Sequence, residues 1–323
     1  MDEGAFHVPV LLDELVQGLR LRPDSRVIDA TVGGAGHSLA IARALGPSGR
    51  LLCIDQDREA LDQAGQRLRD CAPAVTLVHS NFGSIGDVAR ANGLPQCDAI
   101  VADLGVSSHQ LDSVERGFSF MHDAPLDMRM DRDGGTPVFE LLQRLGEAEL
   151  SKIIRDYGEE AGARRIARAI KQDNPQTTGE LARLVESVLG GRRGRRIHPA
   201  TKTFQALRMA ANDELDALRR LLQDAPDLLA VRGRLAIISF HSLEDRMVKR
   251  AFAERARTCT CPPEAPLCTC GADPEFELVS RKALRPADAE AAANPRARSA
   301  KLRILSKRVR KSSSLGAHGV TDL

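Results

Sequence analysis

The chain has 323 residues, of which 42% are hydrophobic and 28% are charged, an ordinary composition for a globular protein. Its formal net charge is only +2, so any nucleic-acid-binding surface has to be local. Aromatic residues make up 3% and tryptophan is absent, which excludes a module that stacks bases on rows of aromatic rings. No apolar stretch reaches the ~20 residues that span a bilayer, and the acidic N-terminus is unlike a signal peptide. We therefore expect no membrane partner. Cys53, Cys71 and Cys97 stand singly in the first third of the chain, which indicates a reducing cytoplasm.

A glycine-rich turn follows the first predicted strand. Apolar Val27 and Ile28 lead to Asp29, glycines occupy positions 33, 34 and 36, and a helix-like apolar run comes next. Glycine permits a sharp turn and the close approach of a ligand, whose polar atoms can meet free amides at the helix start. The second predicted strand ends in Asp55, where a carboxylate suits two ribose hydroxyls. This order favours a nucleoside-type ligand over the alternative, a surface aspartate at a strand end.

Strands and helices alternate through the first third of the chain. The predicted strands after the first span 51–54, 75–78 and 98–105, and the predicted helices include 10–19, 58–68 and 85–91. This alternation predicts an α/β fold with a parallel sheet and right-handed crossovers. Ligands of such sheets bind at the carboxyl ends of the strands, where this chain places Asp29, Asp55, Phe82 and Asp103.

No strand pattern occurs between residues 112 and 225. Apolar spacing instead predicts three helices and a longer fourth one, at 147–157, 161–171, 178–189 and 201–222. After this block the pattern predicts a strand, a helix and two final strands, at 233–241, 243–256, 276–279 and 301–305. The last two strands are expected to close the sheet as a hairpin-like pair.

These patterns predict a sheet domain interrupted by a helical domain. We expect the sheet domain in two parts, a helical substrate-recognition insertion and a disordered tail, at 1–111 with 226–309, 112–225 and 310–323 respectively.

Polar residues after the fourth and fifth predicted strands could carry chemistry. Asp103 can accept hydrogen bonds from an amine, and Gln110 can donate and accept. The less favoured alternative is a strand-end aspartate that caps the next turn. His241 could be a base, a substrate contact or a histidine hydrogen-bonded at a strand end. The loop 125–131 mixes acids, arginine and methionine, and it either shapes a pocket or crosses the surface.

Two further clusters lie in loops. Four arginines with a glycine fill residues 192–196 inside the predicted insertion, which favours contact with nucleic-acid phosphates over a merely solvated face. Two Cys-x-Cys pairs, Cys259 with Cys261 and Cys268 with Cys270, could hold a structural zinc ion or form a reduced surface loop. No metal is expected among the residues of the ligand site itself.

Nine sequence blocks, in order, resemble those of one enzyme family. They are His7-Val-Pro-Val-Leu11, Asp29-Ala-Thr-Val-Gly-Gly-Ala-Gly-His-Ser38, Asp103-Leu-Gly-Val-Ser-Ser108, Glu115-Arg-Gly-Phe-Ser-Phe120, Pro125-Leu-Asp-Met-Arg-Met-Asp131, Thr203-Phe-Gln-Ala-Leu-Arg208, Ser239-Phe-His-Ser-Leu-Glu-Asp-Arg246, Ser280-Arg-Lys-Ala-Leu-Arg-Pro286 and Asn294-Pro-Arg-Ala-Arg-Ser-Ala-Lys-Leu-Arg303. The chain thereby resembles the RsmH (MraW) family of bacterial 16S rRNA cytosine-N4 methyltransferases, from about residue 6 to residue 306.

The resemblance implies a class I, Rossmann-like methyltransferase sheet with an inserted helical domain. It also implies S-adenosylmethionine as cofactor and a P-site cytidine of 16S rRNA, within the small ribosomal subunit, as substrate. The family's cofactor contacts fall on Ala35, Gly36, His37, Asp55, Phe82, Asp103 and Gln110. The family often has glycine where this chain has Ala35, and the two Cys-x-Cys pairs are outside its general pattern.

An acceptor on the cytosine amine would localise its lone pair and take charge as it develops, and Asp103 is the candidate catalytic residue. Three alternatives stay open: an amino-methyltransferase of another nucleic acid, a nicotinamide-dependent dehydrogenase, and a non-catalytic ribosome-assembly factor that binds RNA. The first is disfavoured because the chain lacks an Asp/Asn-Pro-Pro-Tyr segment, and the second because it lacks an ordered Gly-x-Gly-x-x-Gly. The sequence does not fix the oligomeric state, for which a dimer is one alternative.

Overall fold

A seven-stranded mixed sheet organises the protein, whose computed structural model describes residues 9–191, 194, 197–259, 261, 270 and 273–309. The order across the sheet is β3-β2-β1-β4-β5-β7-β6. The strands are β1 (Arg26–Asp29), β2 (Arg50–Asp55), β3 (Ala74–His79), β4 (Cys97–Asp103), β5 (Leu229–Ser239), β6 (Phe276–Leu278) and β7 (Lys301–Lys307). The first five run parallel, and β7 pairs antiparallel with both β5 and β6. The predicted pairing of the last two strands is confirmed.

Helices connect and flank these strands. Their bounds are α1 (Leu12–Leu19), α2 (Gly36–Ala44), α3 (Arg58–Leu68), α4 (Ile85–Ala91), α5 (Ser108–Asp112), α6 (Val138–Arg144), α7 (Glu147–Gly158), α8 (Ala163–Asp173), α9 (Thr178–Val188), α10 (Thr201–Ala211), α11 (Glu214–Asp224), α12 (Ser242–Arg255) and α13 (Asp288–Ala293). Short 3₁₀ helices lie at Phe82–Ser84, Val114–Arg116, Ala225–Leu228 and Pro295–Ser299. None of the helices in the described ranges is long and apolar enough to cross a membrane.

Two hydrophobic cores cover the two faces of the sheet. One contains side chains of α1, α2 and α3, and the other contains side chains of α4, α11 and α12. The inner strands are buried on both faces, as in Leu51 and Leu52 of β2, because a parallel sheet carries helices on both sides. The carboxyl ends of β1, β2 and β4 are thereby left facing one side of the domain, where the cavity described below lies.

A third hydrophobic core belongs to the helical block between β4 and β5. It is formed by α6 to α10 and by the loop that carries Leu126, Met128 and Met130. The insertion predicted at 112–225 also contains α11, but Leu218, Leu221 and other apolar residues of α11 join the sheet core. The helices that share the third core therefore end with α10.

The single long helix predicted at 201–222 is wrong, because two helices, α10 and α11, occupy that stretch. Asp213 between them adopts a left-handed conformation with φ of 55°. Asn212 ends α10 and bonds to a distant loop: it donates to the carbonyl of Met128 and accepts from the amide of Met130, both at 2.7 Å. A tertiary contact therefore breaks a continuous apolar repeat. The arginines at 192, 193, 195 and 196 and the tail at 310–323 lie outside the described residues.

Candidate active site

A cavity of 520 Å³ opens at the carboxyl ends of the strands, a size typical of small-molecule sites. Six of the seven predicted cofactor residues line it, namely Gly36, His37, Asp55, Phe82, Asp103 and Gln110. Ala35 does not line the cavity, because its side chain is fully buried. The sheet therefore gathers residues that are up to 74 positions apart in the sequence, as the rule for parallel sheets predicts.

The glycine turn is tightly built. Gly33 has φ of +46°, and a Cβ on Gly36 would lie 2.4 Å from Cγ of Pro9, so glycine is required by conformation at one position and by space at the other. Ala35 also has a positive φ, 59°, without being glycine. Its amide donates to the carbonyl of Val32 at 2.7 Å, so this amide is already bonded within the turn.

Asp55 locks the turn to the end of β2. Its Oδ2 accepts from the amide of Gly33 at 2.8 Å and its Oδ1 accepts from the amide of Asp57 at 2.9 Å. Burial raises the pKa of Asp55 to about 6, although these backbone bonds act in the opposite direction. Each oxygen keeps a second lone pair that can accept from a ligand hydroxyl.

Asp103 ends β4 on the other side of β1. Its Oδ2 lies 3.5 Å from Nδ1 of His37, whose Nε2 donates to the carbonyl of Val10 at 2.9 Å. The other oxygen, Oδ1, is buried and has no hydrogen-bond partner among the described residues. Burial raises the pKa of Asp103 to about 6, the charge of His37 lowers it, and the charges of Asp29 and Glu244 raise it further. A buried carboxylate oxygen without a hydrogen-bond partner costs free energy, so a donor group that reached it would be bound favourably.

Gln110 is bonded mainly to the protein. Its Oε1 accepts from the amide of Ser107 at 3.0 Å, its own amide donates to Oγ of Ser107 at 3.2 Å, and its Nε2 donates to Asp57 at 2.8 Å. The first two bonds form a capping box that starts α5. The side chain therefore fixes the loop after β4 against the start of α3.

A buried ion-pair cluster behind the cavity was not predicted. The side chain of Arg116 is 1% exposed and donates to Asp57 at 2.8 Å, to Glu59 at 2.9 Å, and to the carbonyls of Met130 at 3.0 Å and Arg129 at 3.1 Å. The cluster joins the loops of the helical block to the α3 side of the sheet. Only the Glu115-Arg-Gly block could have drawn attention to it in the sequence.

Side chains from the 125–131 loop, from α11, from the residue after β5 and from α12 also line the cavity. They are Met130, Glu214, Leu218, Phe240 and Glu244. The loop 125–131 thus shapes the pocket, which decides between its two interpretations. His241 is the histidine hydrogen-bonded at a strand end: its Nδ1 accepts from the amide of Glu244 at 3.4 Å and caps α12. It is absent from the cavity lining, whereas its neighbour Phe240 was overlooked.

Comparison with known proteins identifies the family of the chain. Residues 4–308 match the model of the MraW methylase family. The chain belongs to the MraW methylase family. A protein of Symbiobacterium thermophilum named ribosomal RNA small subunit methyltransferase H is 50% identical over 306 residues, 93% of this chain and 96% of that protein. Proteins of the same name from Brevibacillus brevis and a Geobacter strain are each 49% identical and are covered over 98% and 99% of their lengths.

As a member of the MraW methylase family, the chain is a methyltransferase with the class I sheet expected from the sequence. S-adenosylmethionine is the cofactor, and the cavity suits it in two respects. Gly33 leaves space beside the turn, since a Cβ there would have its nearest neighbour at 3.8 Å, and Oδ1 of Asp103 offers an acceptor to a polar group. When bound, S-adenosylmethionine supplies a methyl group that is already activated on a sulfonium.

Proposed function

We propose that this protein methylates N4 of a P-site cytidine in 16S rRNA, with Asp103 as the acceptor of the amine proton. The curated relatives are named as methyltransferases of small-subunit rRNA, and their near-full-length similarity supports the same RNA here. The observation that carries the amine assignment is the buried Oδ1 of Asp103, which lacks a partner on the cavity wall.

Asp103 has the protonation behaviour that this role requires. With a pKa of about 6, it is mostly ionised at neutral pH and still close enough to neutrality to take up a proton. A hydrogen bond from the cytosine amine to Oδ1 would localise the nitrogen lone pair, which is otherwise delocalised into the ring. When the amine nitrogen takes the methyl carbon, the carbon–sulfur bond of the sulfonium would break and the sulfur would leave as a neutral thioether. Oδ1 would then take up the amine proton and pass it to solvent.

The neighbouring residues hold Asp103 in position. His37 is anchored through Nε2 on the carbonyl of Val10, so its Nδ1 faces Oδ2 of Asp103 and leaves Oδ1 turned to the ligand. The amide of Asp103 donates to Oγ1 of Thr31 at 2.7 Å, which fixes the end of β4 to the loop after β1. This loop carries the glycines that we assign to the cofactor side.

We assign the cofactor contacts to Gly36, His37, Asp55, Phe82 and Asp103, with Asp55 facing the ribose hydroxyls. Gln110 is assigned a positioning role through Ser107 and Asp57, because its side-chain atoms are bonded to those residues. Ala35 is assigned to the shape of the turn, since its amide bonds to Val32.

The helical block is proposed to bind the RNA, and the target base has to leave its stack to reach the cavity. The arginines within 192–196 are the proposed phosphate contacts. The last strand is less suited to that role than its sequence indicates. Lys301 and Arg303 each pair with Asp245 at 2.8 Å, so a carboxylate already neutralises much of their charge. Since the substrate is ribosomal, we propose that the protein acts in the cytoplasm.

The test is transfer of labelled methyl from S-adenosylmethionine to small ribosomal subunits that lack the modification, with mapping of the labelled nucleoside. Free 16S rRNA and large subunits are assayed in parallel, and Asp70→Asn, at an exposed aspartate outside the cavity, is the control variant. We expect label on cytidine N4 in small subunits, for both the parent and the control.

Two results would contradict the proposal. Label on another atom or another nucleic acid would favour the amino-methyltransferase alternative. Tight binding of subunits without any transfer of label would favour the assembly-factor alternative.

A further inference from the structure

Three cysteine side chains converge between α12 and β6, far from the cavity lining. The sulfur atoms of Cys259, Cys261 and Cys270 all lie within 4.8 Å of one another, and those of Cys259 and Cys270 are 3.8 Å apart. We propose that these three thiols bind a structural zinc ion. The inference is independent of the proposed RNA substrate.

The separation of the sulfurs fits a shared ion. Zinc binds thiolate sulfur at about 2.3 Å, and tetrahedral angles then place two sulfurs about 3.8 Å apart. Cys259 and Cys270 stand at 3.8 Å, whereas a disulfide joins its sulfurs at about 2.0 Å. Among metals, soft thiolates in a tetrahedral arrangement select zinc, with iron–sulfur clusters and Cu(I) as competitors.

The surrounding fold holds both ends of the segment. Arg255, at the end of α12, pairs with Asp227 at 3.1 Å, and its guanidinium lies 5.8 Å from the ring centre of Phe276, the first residue of β6. Asp273 pairs with Arg308 at 2.8 Å, just after β7. Because these contacts bring the segment's ends together, the cysteines are gathered before an ion binds, which lowers the entropy cost of binding.

The sequence between the cysteines is rich in proline. Positions 262–269 read Pro-Pro-Glu-Ala-Pro-Leu-Cys-Thr, with Ala265 and Leu267 as the apolar residues other than proline. Cys268 belongs to this stretch of sequence and lies outside the described residues, so the proposal rests on the other three thiols.

A zinc ion here would fasten the edge of the sheet. β6 has three residues and pairs only with β7 among the strands of the described part, so few hydrogen bonds retain it. The metal-bound segment immediately precedes β6 and would limit its fraying. Binding converts each thiol to a thiolate and releases its proton to solvent, so the affinity for zinc falls as the pH is lowered.

The experiment measures zinc per chain in full-length protein purified without chelator, by atomic absorption and by release with a mercurial reagent. We expect about one zinc per chain in the parent. Cys259→Ser, Cys261→Ser and Cys270→Ser should each lose most of it. Cys71→Ser, at a partly buried cysteine outside the cluster, is the matched control and should keep it.

A second measurement covers variants that fold poorly. Metal-free parent protein is titrated with cobalt(II), and the intense visible bands of tetrahedral cobalt–thiolate should develop and then vanish when zinc is added. Circular dichroism of each serine variant shows whether its loss of metal accompanies a loss of fold. Absence of both zinc and the cobalt bands in a folded parent would overturn the proposal. So would iron in place of zinc, or disulfides among the three cysteines.

Discussion

Two aspartates end the strands on either side of β1, and they differ in how completely the protein bonds them. Burial raises the pKa of both Asp55 and Asp103 to about 6. At the end of β2, each oxygen of Asp55 accepts from a backbone amide. At the end of β4, Asp103 meets His37 through one oxygen and has no partner for the other. The first arrangement suits binding, and the second leaves an acceptor for a reacting group.

The largest expected effect is on methyl transfer by Asp103→Asn. Asparagine keeps the size of the side chain but cannot take the amine proton, so we expect kcat to fall roughly 100-fold or more, the range of a lost general base. Affinity for S-adenosylmethionine, measured by calorimetry, should change much less. If Asp103→Asn instead lost affinity for S-adenosylmethionine and kept the parent kcat, Asp103 would be a binding residue like Asp55, and the proposed difference between the two aspartates would be wrong.

The same variant tests the pKa of Asp103. Parent kcat should rise with pH through about 6, and this rise should be missing in Asp103→Asn.

The raised pKa of Asp103 also affects stability, because the folded state then binds more protons than the unfolded state between about pH 4 and 6. This carboxyl therefore lowers the unfolding free energy as the pH rises through that window. At pH 7, Asp103→Asn should stabilise the fold by roughly 1–2 kcal/mol, after allowance for partial solvent access. Denaturant titrations at pH 4 and pH 7 check the sign.

Replacing Arg116 tests the ion-pair cluster that joins the loops of the helical block to the α3 side of the sheet. Arg116→Met would leave Asp57 buried without its ion-pair partner, and we expect a loss of about 3 kcal/mol in unfolding free energy. Arg58→Met is the control, because Arg58 is exposed although it also pairs with a carboxylate, and its loss should cost less than about 1 kcal/mol. Equal effects in urea titrations would mean that burial of the Arg116 cluster contributes nothing.

Asp55→Asn is expected to weaken the binding of S-adenosylmethionine and to leave the rate of methyl transfer at saturating cofactor nearly unchanged. A lost charge-assisted hydrogen bond is worth about 1.5–3 kcal/mol, which corresponds to a Kd for S-adenosylmethionine roughly 10 to 100 times higher. At saturating cofactor, kcat should stay within a few-fold of the parent. A large fall in kcat at saturation would show that both strand ends take part in the chemistry.

The smallest effect is expected from Ala35→Gly in the turn. A left-handed conformation costs an alanine about 1–2 kcal/mol, and the greater freedom of glycine in the unfolded chain offsets part of that gain. We expect a stabilisation of less than about 1 kcal/mol, measured as a shift in Tm. Ala40→Gly in the middle of α2 is the matched control and should destabilise by about 1 kcal/mol. The same sign in both would mean that the turn at Ala35 is unstrained.

Local patterns along the chain predict the α/β alternation, the glycine turn and the strand ends that carry Asp55, Phe82 and Asp103. These features follow from local periodicity and from the rule that parallel strands present their carboxyl ends together. Even the helical block between β4 and β5 was visible as a loss of strand pattern.

Which of these polar atoms are already hydrogen-bonded depends on packing in three dimensions. The side chain of Gln110 is hydrogen-bonded to Ser107 and Asp57, whereas Oδ1 of Asp103 has no hydrogen-bond partner among the described residues. The break between α10 and α11 depends on Asn212 bonding to a loop 84 positions away. Such partners are distant in the chain and are brought together by packing, so no local repeat in the sequence encodes them.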